Sequence, residues 1–186
     1  VSYPAKVMVI KLTSSKKGKL AFNVGFESLI KYAVLIHGDT LVANGCAPLR
    51  AEPNYTGDKP NAVVYDDNKG TRFASLAKIV ATDGRLIQTD NTIGVEGATQ
   101  AVLIVSVTTS VNGFDKDPVR QGLDYMANAK SQLKDAASQP FAQLKKAHIT
   151  DYTTYYNRVS LNLGTSTAPN LPTDERLKRY AEGKED

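Results

Sequence analysis

Residues 101–107 read AVLIVSV, and after Thr108 the chain runs on as TSVNGFDKDPVRQG, residues 109–122. The first run is apolar at consecutive positions, so as a strand it has no face for water and must be covered twice. Two stacked sheets would cover it. The second run is polar and Gly-centred, with Asp115 and Asp117 flanking Lys116. Asp117 followed by Pro118 has the form of an N-cap and first helical residue, so the spacing predicts a helix from Pro118. The stretch therefore lies where a sheet hands over to helices, and it is either an active site or a joint.

Upstream the signals are those of strands. VMVIKL (7–12), the turn SSKKGK and LAFNVGF (20–26) form a candidate antiparallel pair, and Leu20, Phe22, Val24 and Phe26 alternate with Ala21, Asn23 and Gly25, which buries one face. YAVLI (32–36), the turn HGDT and LVANG (41–45) follow, then a polar loop from Ala47 to Gly70 with three prolines. Loops of that length in a compact domain are usually functional or shielded by a partner. RFASLAKIVA (72–81), RLIQTD (85–90) and TIGVEG (92–97) continue the series, with Asp83-Gly84 as a hairpin signal.

Downstream the period changes. Leu123, Met126, Ala127, Ala129, Leu133 and Ala137 supply an apolar helical stripe, Pro140 interrupts it, and Phe141, Leu144, His148, Tyr152 and Tyr155 repeat at helical spacing. Val159, Leu161 and Leu163 alternate with Ser160 and Asn162, which predicts a strand returning to a sheet. Small and turn residues from Gly164 to Pro172 form a linker, and Thr173 is the expected cap of a helix with acids first and bases later, as the helix dipole prefers. The expected organisation is mainly β: an antiparallel β-sandwich over 1–116, a helical pair over 117–157, the returning strand over 158–164, and a linker with the start of a helix over 165–186.

Composition is that of a soluble globular protein, 41% hydrophobic and 23% charged over 186 residues. The net charge of +4 is interspersed, without the basic stripe of a nucleic-acid groove. No stretch reaches the ~18 apolar residues of a membrane helix. Neither nucleic acid nor membrane is an expected partner. The N-terminus lacks the features of a signal peptide and an initiator Met, so the chain is expected to be a piece of something longer. Its single cysteine, Cys46, excludes an internal disulfide and a cysteine-based zinc site, and a buried small hydrophobe is the favoured role.

Candidate chemistry is sparse. Asp115 and Asp117 could serve as the acid and base of an inverting glycosidase; the alternative, which the spacing favours, is that Asp117 caps a helix while Asp115 pairs with Lys116 or a backbone amide. Asp66-Asp67 offers too few oxygen ligands for a hard cation and reads better as a solvated turn. The two histidines, His37 and His148, form no zinc-binding pattern, and no nucleophile elbow, phosphate loop or dinucleotide fingerprint is present. No cofactor is expected. Tyr152, Tyr155 and Tyr156 could make a sugar platform but at helical spacing favour packing. Asn54-Tyr55-Thr56 is a glycosylation sequon where the secretory pathway allows it.

Four ordered stretches are together similar to one family: APLRAEPNYTGDKPNAVVYDDNKGTRFA (47–74), TTSVNGFDKDPVRQG (108–122), AHITDYTTYYNRVSLNLG (147–164) and LPTDERLKRYAEG (171–183). They resemble the N-terminal β-domain and linker of glycoside hydrolase family 95, mostly bacterial α-L-fucosidases. The resemblance implies a β-super-sandwich and helical linker that precede an (α/α)6 barrel, with inversion carried out by a glutamic acid and a water activated through asparagine and aspartate in that barrel. No residue here matches those catalytic positions, so none is carried over.

The resemblance makes Asn112, Gly113, Phe114, Asp115, Asp117 and Pro118 a joint between sandwich and helices, with no catalytic residue in the chain. It further implies a secreted or periplasmic parent enzyme acting on fucosylated glycans. The implied partners are the catalytic barrel and the remainder of the sandwich, and open strand edges make self-association an expected property. The chain alone is expected to be inactive. A rival reading is a free-standing carbohydrate-binding β-sandwich using the 47–70 loop and the tyrosines; a third is a structural or adhesion module.

Overall fold

The computed structural model describes residues 1–57, 59–162, 164 and 170–184. It contains the strands β1 (Met8–Thr13), β2 (Leu20–Val24), β3 (Tyr32–His37), β4 (Thr40–Cys46), β5 (Arg50–Ala51), β6 (Val63–Val64), β7 (Arg72–Thr82), β8 (Arg85–Gln88), β9 (Ile93–Ala98) and β10 (Gln100–Thr109), and the helices α1 (Tyr125–Ala137), α2 (Phe141–Tyr156) and α3 (Thr173–Ala181). No helix among the described residues is long and apolar enough to cross a membrane. The backbone divides into two units, Val1–Tyr152 and Thr153–Asp186.

In the first unit, five antiparallel strands lie in the order β1-β10-β7-β4-β3 and three in the order β2-β9-β8. The fold is thus mainly β, as the sequence leads one to expect. β10 sits inside the larger sheet, paired on one side with β1 and on the other with β7, and it is covered on both faces. The covers differ, however. One face, with Leu103 and Ala101, meets Ile93, Val95 and Ala98 of the smaller sheet. The other, with Ile104, meets Ala129, Leu133 and Ala136 of α1 and Leu144 of α2. A sheet lies on one side and helices on the other, so the first unit has three layers where stacked sheets alone were expected. Buried Ser106 donates its hydroxyl hydrogen to Gln132 Oε1 at 3.0 Å, which satisfies the one polar side chain in the middle of the run.

The expected pairing of β1 with β2 is corrected: β1 pairs with β10 and β2 with β9. The segment between them crosses from one sheet to the other, and it is held at Thr99, whose carbonyl accepts from Ser14 N at 2.8 Å and whose hydroxyl accepts from Gly18 N at 3.1 Å. Asp83-Gly84 is likewise a crossing and not a hairpin, since β7 belongs to the larger sheet and β8 to the smaller. Asp83 Oδ1 accepts from Thr99 N at 2.7 Å and Gln100 N at 2.9 Å. A Cβ on Gly84 would stand 2.6 Å from Glu96 O, so the close backbone approach requires glycine. The β1–β2, β7–β8 and β9–β10 crossings thus converge on Thr99, while the β2–β3 crossing closes the opposite end.

The turn at His37–Thr40 joins β3 and β4 as a hairpin. The long 47–70 loop folds into the short pair β5–β6 with a 3-10 turn at Asn54–Thr56, Asp58 lying outside the described residues. Cys46 is buried, as expected. In the second unit, residues 158–162 form no strand, and Val159 and Leu161 are exposed; Leu163 lies outside the described residues. The alternation there produces no sheet pairing. α3 starts one residue after Pro172, which occupies the cap position without a side-chain hydrogen bond, so Thr173 is its first helical residue and not its cap. Asp174 and Glu175 occupy its first turn and Lys178 and Arg179 its last.

Candidate functional site at the corner between sheet and helices

Ser110, directly after β10, is buried and fixed three times. Its amide donates to Arg72 O at 2.9 Å, its hydroxyl accepts from Arg72 N at 3.0 Å, and its carbonyl accepts from Leu123 N at 3.0 Å. The loop 111–122 therefore leaves and returns at one point. Asn112 Nδ2 donates to Gln121 O at 2.9 Å and Gln121 N to Asp117 O at 2.9 Å, closing it from within. Gly113 takes φ 109°, a conformation that a side chain disfavours.

Asp117 does act as a cap, but of a single turn. Its Oδ1 accepts from Val119 N at 2.8 Å and Arg120 N at 2.9 Å, and these amides, Arg120 first, hold its carboxyl below the usual aspartate range. The helix expected from Pro118 begins instead at Tyr125, capped by Asp124, whose Oδ1 accepts from Ala127 N at 2.9 Å. Gly122 lies between the two caps, where a Cβ would stand 2.1 Å from Pro118 O and 2.7 Å from Ser110 O, so the close backbone approach there requires glycine. The helical pair thus spans Tyr125–Tyr156 and not 117–157.

Asp115 pairs with Lys116 at 3.4 Å. An Asp117 carboxylate that already accepts two amides and is held ionised is unsuited to donate a proton near neutral pH. Phe114, expected at the end of the covered strand, is instead 104% exposed in this chain. It follows Gly113 out of the sheet register, so the strand's covers do not reach it. The six residues share one loop, but they form no acid–base pair around a cleft.

The remaining candidates are dispersed. His37 ends β3 and is exposed, whereas His148 is half-buried on α2 with its ring 5.8 Å from Tyr152. Tyr152, Tyr155 and Tyr156 are exposed. Asp66 caps a turn through Asn68 N at 2.8 Å and Asp67 pairs with Lys31 at 3.3 Å, a solvated turn. Among the described residues no three His, Cys, Asp or Glu side chains are placed to hold a metal ion. Sequence reasoning passed over Ser110 and Gly122; both are small residues whose roles come from partners distant in sequence.

Residues 1–113 match the family described as "Glycosyl hydrolase family 65, N-terminal domain". The chain belongs to this family of glycosyl hydrolase N-terminal domains. Residues 140–186 match "Glycosyl hydrolase family 95 catalytic domain". Alpha-L-fucosidase 2 of Arabidopsis thaliana is 29% identical over 194 residues, which cover 96% of this chain and 22% of that protein. The chain thus spans about a fifth of its relative's length. The resemblance to family 95 holds in the match of residues 140–186, and the corner at 110–124 runs from the end of the first matched region into the interval before the second.

Proposed function

We propose that this chain is the non-catalytic N-terminal scaffold of a glycoside hydrolase that removes terminal α-L-fucose with inversion, and that the 110–124 corner joins the sandwich to the catalytic barrel. The observation that carries this reading is the order of the matches: an N-terminal domain match ends at residue 113 and a catalytic-domain match begins at residue 140. The corner's chemistry supports it, because Ser110, Asn112, Asp117, Gln121 and Asp124 are engaged in hydrogen bonds with the backbone and Asp115 in an ion pair with Lys116. Phe114, Val111 and Leu123 are exposed apolar residues of this corner, suited to a covering partner. In this reading the partners are the catalytic barrel and further sandwich strands, and the setting is secreted or periplasmic.

The test is hydrolysis of an aryl α-L-fucoside by the purified chain, alone and as part of the larger enzyme. The chain alone gives no turnover above buffer, and Asp115→Asn and Asp117→Asn in the larger enzyme leave kcat within about tenfold of its original value, short of the 10²–10⁴-fold contribution of acid–base catalysis. Turnover by the chain alone, abolished by either substitution, would sink the proposal.

A further inference from the structure

The smaller sheet has three strands and the larger five, so part of the larger sheet's inner face near its β3 edge is left to the β2–β3 crossing to close. It closes incompletely. A cavity of about 640 Å³ opens there, between the crossing, the start of β3 and the β8–β9 turn, lined by Phe26, Glu27, Tyr32, Val34, Asn91 and Thr92. Its size and its position at the mouth of a β-fold are those of small-ligand sites.

The lining has an ordered aromatic part and an unengaged polar part. Phe26 stands edge-on to Tyr32 with ring centroids 5.3 Å apart and is backed by Phe73 at 6.2 Å, so the Tyr32 ring is held before any ligand arrives. Among the described residues neither the Tyr32 hydroxyl nor the Glu27 carboxylate has a hydrogen-bond or ion-pair partner. Asn91 uses its Oδ1 to accept from Thr89 at 3.3 Å, which leaves its amide hydrogens for a ligand. One acceptor-only group, one amide donor and one hydroxyl thus line the same cavity as the paired aromatic rings.

We propose that this mouth binds a neutral pyranose at the end of an oligosaccharide, with the sugar's apolar C–H face on Tyr32 and adjacent hydroxyls shared between Glu27 and Asn91. Neutral sugars suit it because each hydroxyl both donates and accepts, as the Glu27–Asn91 pair demands. An acidic sugar would bring a second negative charge beside Glu27, and the nearest lysine on this crossing, Lys31, is already paired with Asp67 at 3.3 Å. The site differs from the platform expected on the 47–70 loop and the α2 tyrosines. It also needs no catalytic barrel, so it stands apart from the scaffold reading.

The experiment is an amide NMR titration of the chain with 2′-fucosyllactose and, as the acidic counterpart, trigalacturonic acid, at concentrations well above about 1 mM, where weak binding of roughly −4 kcal/mol becomes visible. The neutral sugar should shift the amides of Gly25–Glu27, Tyr32, Asn91 and Thr92. Tyr32→Ala and Glu27→Gln should each weaken binding about tenfold, the ratio expected for a lost hydrogen bond or contact of ordinary net strength. Glu27 is exposed, so E27Q keeps the fold intact should Y32A disturb it. Absence of shifts, shifts mapped elsewhere, equal or tighter binding of the acidic sugar, or unchanged affinity in E27Q would each overturn the proposal. Hydrolysis is not read in this titration, so its failure leaves the scaffold test untouched.

Discussion

Truncating β10 on its two faces separates the two halves of the core. Ile104 is fully buried beneath α1, and Leu103, one residue earlier, is 5% exposed beneath the smaller sheet. Ile104→Ala removes three carbons from a site lined by Val42, Ala74, Leu76 and Leu133, where a rigid sheet restricts collapse, so the cost should be about 3–4 kcal/mol within the usual range of 2–5. Leu103→Ala should cost about 2–4 kcal/mol, since Ala77, Ala98 and Ala101 around it are small and leave the cavity only partly filled. Val107→Ala is the control: that side chain is 60% exposed and its loss should stay within about 0.5 kcal/mol. Urea unfolding with an unchanged slope measures all three. If Leu103→Ala behaved like the Val107 control, the smaller sheet would not pack on β10, and the three-layer argument would fail. If Ile104→Ala did, the helical cover would be wrong.

Asp124→Ala should destabilise by about 0.5–2 kcal/mol through loss of the α1 cap, read by thermal unfolding; an unchanged melting temperature would return the helix start to Pro118. Gly122→Ala should cost at least about 1–3 kcal/mol, because its methyl group meets backbone oxygens and not a movable side chain; a neutral result would mean that the loop shifts freely. Asp83 and Asp117 are both held below the ordinary aspartate range by backbone amides, of Gln100 and Thr99 for the first and of Arg120 and Val119 for the second. A depressed carboxyl adds stability above the unfolded pKa of about 3.9 and loses it as pH falls through the folded value, so the stability difference between parent and Asp83→Asn should shrink on acidification below about pH 4. A difference independent of pH would refute that. Phe114→Ala should leave the stability of the chain alone unchanged, since the ring is exposed, yet cost about 3–5 kcal/mol in the larger enzyme if the barrel packs on it; equal effects in both would remove Phe114 from the joint.

The burial of individual strands was legible because alternation reports it directly. Leu20, Phe22 and Val24 face the core as their spacing requires, and the apolar run is covered on both faces from Ala101 to Ser106, Val107 at its end being exposed. Which strand pairs with which was not legible. β1 and β2 follow each other with a six-residue turn, as a hairpin would, but the decisive contacts of that turn go to Thr99, some eighty positions away. The second cover of β10 was missed for a related reason: an apolar face does not state whether a sheet or a helix meets it. At the corner, the Asp-Pro signal named a real cap, but of a single turn, and the helix begins only at the next cap, Asp124. Residues 158–162 carry strand alternation yet form no strand, since alternation alone forms no ladder.

The same limits explain why the candidate cavity escaped a linear reading while the fold of the 112–121 loop did so less. That loop is local: Asn112, Asp117, Val119, Arg120 and Gln121 bond to one another, so their residue types and spacing already contain most of the constraint. Glu27 and Asn91 are separated in the chain by β3, β4 and β7 of the larger sheet and come together because β2 lies beside β9. Both features lie toward the same end of the larger sheet, since Tyr32 pairs with Gly45, Gly45 with Phe73 and Phe73 with Thr109, next to Ser110. A partner that packs on the corner and extends across the ends of β7 and β4 reaches the cavity mouth. Titrating the larger enzyme with the neutral sugar then distinguishes two arrangements: retained binding at Tyr32 places the partner beside the mouth, and binding lost only in the larger enzyme places the partner over it.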